Sequence, residues 1–348
     1  MSITAPSLAY TGDLQLEYAT CDYAVSQPSS WWQGVLGVAG FEKLPLINRP
    51  GIPVAASLTP CLNASNLCEV WRVAAPHAPL SSGESAKARV RYRHSDDLLF
   101  GALTLTEQVS GARGEADALL RATELAYQEI FQVLESTQHR HLVRIWNYLP
   151  QINAQADGEE RYRHFNAARQ MAFRKCGRAT MGTVPAASAL GTPAGSPLSI
   201  YFLAARSAPR MIENPRQTSA YHYPPKFGRH SPVFSRACVW GDPGRGKLFI
   251  SGTASIVGHE SIHCGNVEAQ TRETLVNINA LVDEANRIVG AQRYSTHELM
   301  LKVYVRNASD LPAVKGAVAE VLGTVPVMVF LQADVCREDL LVEIEAVG

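Results

Sequence analysis

The sequence predicts a mixed α/β (α+β) fold built from two βαβαβ units in pseudo-repeat, the first of them degenerate. Residues 247–348 alternate apolar strands with amphipathic helices in the order strand, helix, strand, helix, strand. Residues 97–204 repeat that order, which indicates an internal duplication. The chain has 348 residues, 46% of them hydrophobic, so its length and composition allow about two domains with buried cores.

The second unit shows the clearer pattern. Its long helix is predicted over 267–289 because apolar residues recur three or four apart along one face. Residues 307–310 form an N-cap cluster that starts a second helix, which ends near Gly323. The predicted strands cover 248–250, 299–305, 325–333 and 340–347, with a turn at 251–253.

The first unit is predicted from the same pattern, with strands over 98–104, 141–148 and 198–204 and helices over 116–134 and 159–174. If the closing strands of the two units are superposed, Glu343 falls near Tyr201 or Ile200, so the first copy has no matching acid. Residues 1–94 are irregular and strand-like. Within them, the adjacent Trp31 and Trp32 are interpreted as packing residues.

A long connection joins the two units. The chain is therefore divided into a degenerate first domain over 1–206, a connection over 207–246 and a second domain over 247–348. The connection is too long for an ordinary loop, and its five aromatic residues argue against disorder. We expect it to line a cleft, where its cationic residues would suit a carboxylate ligand: Arg210, Arg216, Lys226 and Arg229.

The last predicted strand carries the candidate catalytic residue. It is the one predicted strand in which acids stand among apolar residues, and its alternation places Glu343 and Glu345 on the same side of a sheet. Two carboxylates roughly 7 Å apart raise the pKa of one of them. An acid that stays protonated near neutrality is a proton donor. The alternative is an edge strand whose carboxylates face water.

Composition excludes several classes of protein. Basic and acidic residues both number 32, so no net basic field is present to hold nucleic acid. The start of the chain lacks the regions of a signal peptide, and no apolar run approaches the roughly 18–20 residues of a membrane span. The seven cysteines form no CxxC pair, which is typical of reduced thiols. We therefore expect a cytoplasmic protein with no membrane or nucleic-acid partner.

Three motifs are weighed and rejected. Residues 241–247 spell GxxxxGK, but Leu248 stands where a phosphate-binding loop needs Ser or Thr. The stretch from His259 to Cys264 has metal-binding residue types without a second ligand cluster, so neither metal nor organic cofactor is predicted. No histidine is spaced to activate Cys336, which is interpreted as a pocket wall or a buried thiol.

Several stretches together resemble known families. LFISGTASIVGH (248–259), EAQTR (268–272) and VEIEA (342–346) resemble the RidA/YjgF-like (chorismate-mutase-like) fold, a trimer-forming βαβαβ module. A wider set is similar to the bacterial chorismatases and covers most of 212–347, with further likeness through 142–201. Its stretches are IENPRQTSAYHYPPKFG (212–228), SPVFSRA (231–237), SGTASIVGH (251–259) and DVCREDLLVEIEA (334–346).

The resemblance implies cleavage of the enolpyruvyl ether of chorismate, without metal or organic cofactor, in a cleft between the two units. The acid of that family maps onto Glu343. RidA-like enamine deaminases carry an arginine in the preceding strand, whereas residues 327–331 of this chain contain none. That difference argues against deaminase activity and requires carboxylate anchors elsewhere.

A dianion such as chorismate calls for two cationic sites, and bidentate arginine suits a planar carboxylate. The tyrosines of the connection are expected to hydrogen-bond the substrate, the alternative being that they only pack the loop. The predicted substrate-binding residues are Arg216, Arg306, Tyr221, Tyr223, Gly252 and Cys336, with Arg210 in reserve.

The resemblance also bears on the product. Cys336, seven residues before Glu343, resembles the hydroxybenzoate-forming branch of the family and implies 3-hydroxybenzoate, with 4-hydroxybenzoate as an additional product. Three alternatives stay open: addition of water to give a dihydroxycyclohexadiene carboxylate, a RidA-like enamine or imine hydrolase, and a non-catalytic binding protein. A monomer or a small homo-oligomer is expected.

Overall fold

Three β-sheets organise the chain in the computed structural model. The structure describes residues 14–42, 47, 49–73, 79–87, 89–107, 112–242, 245–323 and 327–348. The end of the strand predicted over 325–333 that precedes residue 327 lies outside these ranges.

The first sheet comes from the stretch that precedes the two predicted units. It has four strands in the order β1-β4-β2-β3, and the pairs β1–β4 and β2–β4 are antiparallel. Its elements are β1 (Leu14–Thr20), α1 (Cys21–Ser26), β2 (Val35–Gly40), β3 (Val54–Ala56) and β4 (Leu67–Val73). Thr20 caps α1 by accepting a hydrogen bond from the Tyr23 amide. Strand β4 also holds a buried acid, Glu69, so the last strand is not alone in this respect.

The second sheet belongs to the first unit. Its elements are β5 (Ser81–Glu84), β6 (Val90–His94), β7 (Leu98–Leu105), α2 (Glu115–Ser136), β8 (His141–Pro150), β9 (Gln155–Ala156), β10 (Glu159–Glu160), α3 (Arg161–Lys175), β11 (Ala186–Thr192) and β12 (Leu198–Ala205). Within the sheet the strand order is β11-β8-β12-β7-β6-β5. Strands β9 and β10 form a separate small hairpin before α3.

The third sheet belongs to the second unit. Its elements are β13 (Arg210–Ile212), β14 (Ala237–Trp240), β15 (Lys247–Thr253), β16 (Ile256–Val257), β17 (Glu260–Ser261), α4 (Val267–Val289), β18 (Met300–Val305), α5 (Leu311–Leu322), β19 (Val327–Gln332), β20 (Asp334–Val335) and β21 (Val342–Val347). The strand order is β13-β14-β15-β21-β18-β19, while β20 crosses over to pair with β11 of the second sheet.

The predicted repeat is confirmed by the strand order. Strands β7-β12-β8-β11 of the first unit correspond to β15-β21-β18-β19 of the second, and in each unit only the last pair is parallel. When Tyr148 is matched with Tyr304, Ser199 takes the place of Glu343, because each pairs with the matched tyrosine. Tyr201 then matches Glu345, two residues from the predicted correspondence.

One local prediction is wrong, and one strand was missed. Residues 251–253 form no turn, since β15 continues through them with an irregular register between Ile250 and Thr253. Strand β11 was not predicted, because Ala-Ala-Ser-Ala-Leu-Gly-Thr is poor in the β-branched and aromatic residues that favour strands. The connection over 207–246 contains β13 and β14, which extend the third sheet. The predicted domain boundaries themselves stay a prediction.

One hydrophobic core is shared by all three sheets. Leu36 of the first sheet, Trp146 and Tyr201 of the second, and Phe249 and Tyr304 of the third belong to one buried cluster. Burying a side chain of this size contributes roughly 1.5–3 kcal/mol, so this core is a main source of stability. Helices α2 and α3 cover the outer face of the second sheet, and α4 and α5 cover that of the third. The inner faces are therefore turned toward one another.

Candidate active site

A pocket of about 390 Å³ lies where the two units meet. Its walls come from four stretches: 153–163 of the first unit, 223–236 of the connection, and 252–256 and 336–343 of the second unit. This volume is in the range of small-molecule sites. Polar and charged side chains share the walls with aromatic rings, which suits a small ligand that carries both charge and a flat apolar face.

Glu343 lies at the base of this pocket. Strand β21 positions Glu343 opposite Tyr304 of β18, in the interior of the third sheet, and Glu343 is only 3% exposed. Among the residues that the structure describes, no group forms a hydrogen bond with its Oε1 atom. A buried carboxyl oxygen with no partner costs free energy, which indicates a site kept for a ligand or a proton rather than for stability.

The protonation state of Glu343 follows from its surroundings. Burial, followed by the negative charge of Glu345, raises the pKa of Glu343 from its ordinary range to about 8. Arg144, Arg236 and Arg306 act in the opposite direction but do not outweigh these effects. Glu343 therefore holds a proton at neutral pH, as a general acid requires.

Gly252 makes room for this carboxyl group. A Cβ atom at position 252 would overlap Oε1 of Glu343, so a larger residue displaces the acid or the strand. The Gly252 amide donates a hydrogen bond to Ser188 Oγ at 3.0 Å, which fixes the distance between β15 and β11. Gly252, which was predicted to bind the substrate, lines the pocket and lies in a strand rather than in a turn.

Glu345, two residues further on, is in the opposite state. Lys302 and Arg144 each lie 2.7 Å from one of its oxygens, and Trp146 Nε1 and Ser188 Oγ donate hydrogen bonds to it at 2.7 and 2.6 Å. Burial alone raises the pKa of Glu345, but the two cations outweigh it and lower the pKa below its ordinary value. Glu345 is therefore an anion.

Two arginines that sequence reasoning missed line the pocket. Arg236 is almost fully buried and donates to Tyr223 Oη at 2.7 Å and to the Thr218 carbonyl at 2.8 Å. Arg337 lies over the Phe227 ring, 4.1 Å from its centroid. Within the described part of the chain, Arg236 Nε and Arg337 Nη2 have no hydrogen-bond partner, so each retains a donor for an anion.

A third arginine completes this set, since Arg163 from helix α3 also lines the pocket. The signal was available in part, because Arg236 and Arg337 stand in SPVFSRA and DVCREDLLVEIEA, two of the stretches that carry the family resemblance. Sequence position alone does not show that these two stretches and α3 meet at one pocket.

Two further predicted residues lie in the pocket with Glu343. Tyr223 lines the wall and orients Arg236 through its hydroxyl group. Cys336 also lines it, and burial, with Glu343 as the next cause, raises the pKa of the Cys336 thiol to about 12. The thiol is therefore neutral, which agrees with a pocket wall and not with a nucleophile.

Four predicted residues do not line the pocket, namely Arg210, Arg216, Tyr221 and Arg306. Arg216 is bound to Glu273 at 2.7 Å and to Asn277 Oδ1 at 2.6 Å. Tyr221 packs against the helix-covered core of the first unit, and Arg210 is exposed on β13. Arg216, Tyr221 and Arg210 were predicted from residue type and from their place in the connection, and none of them is in the pocket lining.

Arg306 lies behind the wall instead of in it. Its guanidinium group binds Asp334 at 2.7 Å and donates to the carbonyls of Val335, Arg337 and Leu340 at 2.9–3.0 Å. It therefore holds the loop that presents Cys336 and Arg337, and the predicted carboxylate anchor is a loop-positioning residue in the structure.

The described residues contain no group of three or more His, Cys, Asp or Glu side chains arranged to hold a metal ion. No helix within those residues has the length and apolar character to cross a membrane.

Comparisons with known proteins agree with one another. The family model described as the N-terminal part of FkbO/Hyg5-like chorismatases matches residues 69–204. A 3-hydroxybenzoate synthase of Streptomyces hygroscopicus is 34% identical over 323 residues, covering 90% of each chain. A chorismatase of the same organism is 36% identical over 307 residues, covering 85% of this chain and 83% of that protein. A chorismatase crystal structure has a TM-score of 0.82 and 32% identity, covering 96% of this chain and 98% of that one.

Proposed function

Because this chain belongs to the chorismatase family, we propose that it cleaves the enolpyruvyl ether of chorismate to pyruvate and 3-hydroxybenzoate, with Glu343 as the general acid. One observation carries the assignment of Glu343. It is a buried carboxyl group in the wall of the pocket, one of its oxygens lacks a protein partner among the described residues, and its pKa is raised to about 8.

The first step is proton transfer to carbon. The protonated Glu343 gives its proton to the terminal methylene of the enol ether, whose π electrons form the new C–H bond. An oxocarbenium ion and the Glu343 carboxylate result. Carbon is a poor base, so this step is slow in water, and a positioned acid accelerates such transfers by roughly 10²–10⁴-fold.

Arginine side chains bind the two carboxylates of the substrate. Arg236 and Arg337 each keep one buried guanidinium nitrogen without a protein partner in the described ranges, and Arg163 lies on the same wall. The rings of Phe227 and Phe234 flank them and supply the apolar surface for the six-membered ring. These arginines take the place of Arg216 and Arg306 as anchors, while Tyr223 acts through Arg236.

The second step decides the product. The ring hydroxyl attacks the neighbouring ring carbon, the C–O bond to the pyruvyl group breaks, and its electron pair completes the carbonyl of pyruvate. The hydroxyl proton returns to Glu343, so the acid is regenerated, and the resulting epoxide rearranges to 3-hydroxybenzoate. Cys336, a neutral thiol in the wall, favours this internal route by occupying space beside the cation, and 4-hydroxybenzoate is an additional product.

A direct assay tests this function. Purified protein is incubated with chorismate and a chelator, and pyruvate and hydroxybenzoate are measured. We expect both from the wild type and neither from Glu343→Gln, which still binds the substrate. The matched control is Glu129→Gln, a buried, ion-paired carboxyl outside the pocket.

Other outcomes identify the alternatives. Pyruvate with a dihydroxycyclohexadiene carboxylate indicates capture of the cation by water. Ammonia released from an imino acid, without turnover of chorismate, indicates a RidA-like hydrolase. Tight binding of hydroxybenzoate without any turnover indicates a binding protein. We expect the enzyme to act in the cytoplasm as a monomer or a small homo-oligomer.

A further inference from the structure

A cluster of buried charges joins the three sheets behind the pocket. Lys302 of β18 forms ion pairs with Glu69 of β4 and with Glu345 of β21. Arg144 of β8 pairs with the second oxygen of Glu345. All four side chains are 6% exposed or less, and the cluster holds two anions and two cations. Its members come from the first, second and third sheets.

Glu69 is held firmly in this cluster. Tyr201 Oη donates to its Oε2 atom at 3.0 Å, and Trp71 Nε1 donates to the same oxygen at 3.3 Å. Burial opposes the positive charge of Lys302, but Glu345 and Glu69 outweigh burial and raise the pKa of Lys302 well above its ordinary value. Lys302 is thus a cation shared between two carboxylates, and the negative charge of Glu69 offsets part of its positive charge.

The cluster reaches the pocket through Glu345. Glu345 and Glu343 share one face of β21. Ser188 donates a hydrogen bond to Glu345 and accepts one from the amide of Gly252, the residue that makes room for Glu343. The charged and titratable groups around Glu343 are Glu345, Tyr304, Arg144, Arg236, Arg306, Cys336 and Tyr162, together with Arg163, Arg337, Glu160, Glu338 and Asp339 of the pocket lining. Among these acids, Glu345 is the one whose negative charge raises the pKa of Glu343.

We infer that Glu69 is a positioning residue of the reaction: by sharing Lys302, it leaves Glu345 with enough negative charge to keep the proton on Glu343. The first sheet, which contributes no side chain to the pocket among the described residues, thereby helps to set the pH range of catalysis. This inference rests on the proposed function.

The sign of the effect follows from the charges. Without Glu69, Lys302 pairs with Glu345 alone and the cluster carries one net positive charge. Both changes favour the Glu343 carboxylate, so its proton is lost at lower pH. Taking a separation of roughly 10 Å and an effective dielectric constant of about 20–40, one unit charge shifts the pKa by roughly 0.6–1.2 units.

The test is the pH dependence of kcat/KM for chorismate in Glu69→Gln. We expect the alkaline limb of the profile to move roughly 0.6–1.2 pH units to lower pH, with the activity at low pH retained. Glu129→Gln is the matched control, since Glu129 is as buried as Glu69 and pairs with Lys87 and Arg89 away from the pocket. In Glu129→Gln we expect the alkaline limb of kcat/KM at the wild-type pH. In Glu69→Asp, which keeps the carboxylate, we expect much of the wild-type profile. A limb in Glu69→Gln that coincides with that of Glu129→Gln overturns the inference.

The double variant Glu69→Gln/Lys302→Met covers the case in which Glu69→Gln does not fold. It removes an entire buried ion pair, which proteins tolerate far better than the loss of one partner. We expect the alkaline limb of kcat/KM in this double variant to lie at the same pH as in the wild type or at a higher pH, opposite to the shift in the single variant. A shift to lower pH contradicts the inference.

Infrared titration distinguishes a failure of the proposed function from a failure of this inference. If the wild type does not turn over chorismate, the protonated Glu343 carboxyl is followed by infrared titration, with its band identified by its absence in Glu343→Gln. A lower titration midpoint in Glu69→Gln supports the inference without any activity measurement, and an unchanged midpoint overturns it.

Discussion

The pocket around Glu343 and the charge cluster around Glu345 lie on the same face of one strand, yet they hold the same side chain in opposite states. Glu345 has two cations and two hydrogen-bond donors within 2.7 Å, whereas Oε1 of Glu343 has no partner in the described part of the chain. The pKa is lowered in the first case and raised to about 8 in the second. Partners, not depth, decide which buried acid is ionised.

The largest expected effect comes from breaking the cluster. Lys302→Met leaves the buried anions Glu69 and Glu345 with only Arg144 as a cation partner. We expect the free energy of unfolding to fall by about 3–5 kcal/mol, measured by urea denaturation. Lys302→Arg, which keeps the charge, is the control and loses less. An unchanged urea midpoint in Lys302→Met contradicts the assignment of these contacts as ion pairs.

A smaller change tests the pocket side of the comparison. Gly252→Ala places a methyl group where Oε1 of Glu343 lies, so the acid moves away from its position. Displacements near 1 Å cost on the order of 100-fold in rate, and we expect a fall of that size in kcat with a smaller change in substrate affinity. Gly316→Ala is the control, because nothing lies within 4 Å of a Cβ at that position. Wild-type kcat in Gly252→Ala argues against the catalytic position of Glu343.

Loss of an arginine from the pocket lining should weaken substrate binding. Arg337→Ala removes a guanidinium group over the Phe227 ring, and we expect KM for chorismate to rise roughly 10–100-fold, the value of one charged hydrogen bond. Arg216→Ala removes an arginine bound to Glu273 outside the pocket, and its KM should stay within about twofold of wild type. Equal rises in the two variants would return Arg216 to the role predicted from sequence.

Replacing Glu343 and replacing Glu345 should change the melting temperature in opposite directions. The pKa of Glu343 is raised, so its contribution to stability is full below the unfolded pKa near 4.3 and is lost as pH rises toward 8. The Tm of Glu343→Gln should therefore rise relative to that of the wild type as the pH increases from 5 to 8, by roughly 1–2 °C per kcal/mol. The pKa of Glu345 is lowered, so Glu345→Gln should lose Tm above pH 5. The same sign in both variants contradicts the assigned states.

Much of the fold could be predicted because its signals are local. Helix α4 was predicted over its observed range because its apolar residues recur at helical spacing. In the structure, Asn266 accepts a hydrogen bond from the Ala269 amide at its start, and Gly290 ends it in the left-handed region. Strand β11 could not, because its small residues gain their strand conformation from pairing with β8, a contact between distant parts of the chain.

The site divides in the same way. Glu343 was predictable because an acid in an apolar, alternating strand is conspicuous. Arg236 and Arg337 stand in stretches that carry the family resemblance, but their place in the pocket depends on how the connection and the loop before β21 meet, which the sequence does not show. Glu69 stands in a similar apolar strand, but its proposed role depends on its ion pair with Lys302 of another sheet, which the sequence does not show. Periodicity shows which face a residue occupies and cannot show what lies opposite it.

The pH dependence of kcat/KM for pyruvate release from chorismate tests the central claim, that a buried and protonated Glu343 delivers the proton. The profile of the free enzyme should be level near neutrality and fall about tenfold per pH unit above about pH 8, because the acid form is the active one. A limb near pH 4–5, or activity that stays level through pH 10, would contradict it.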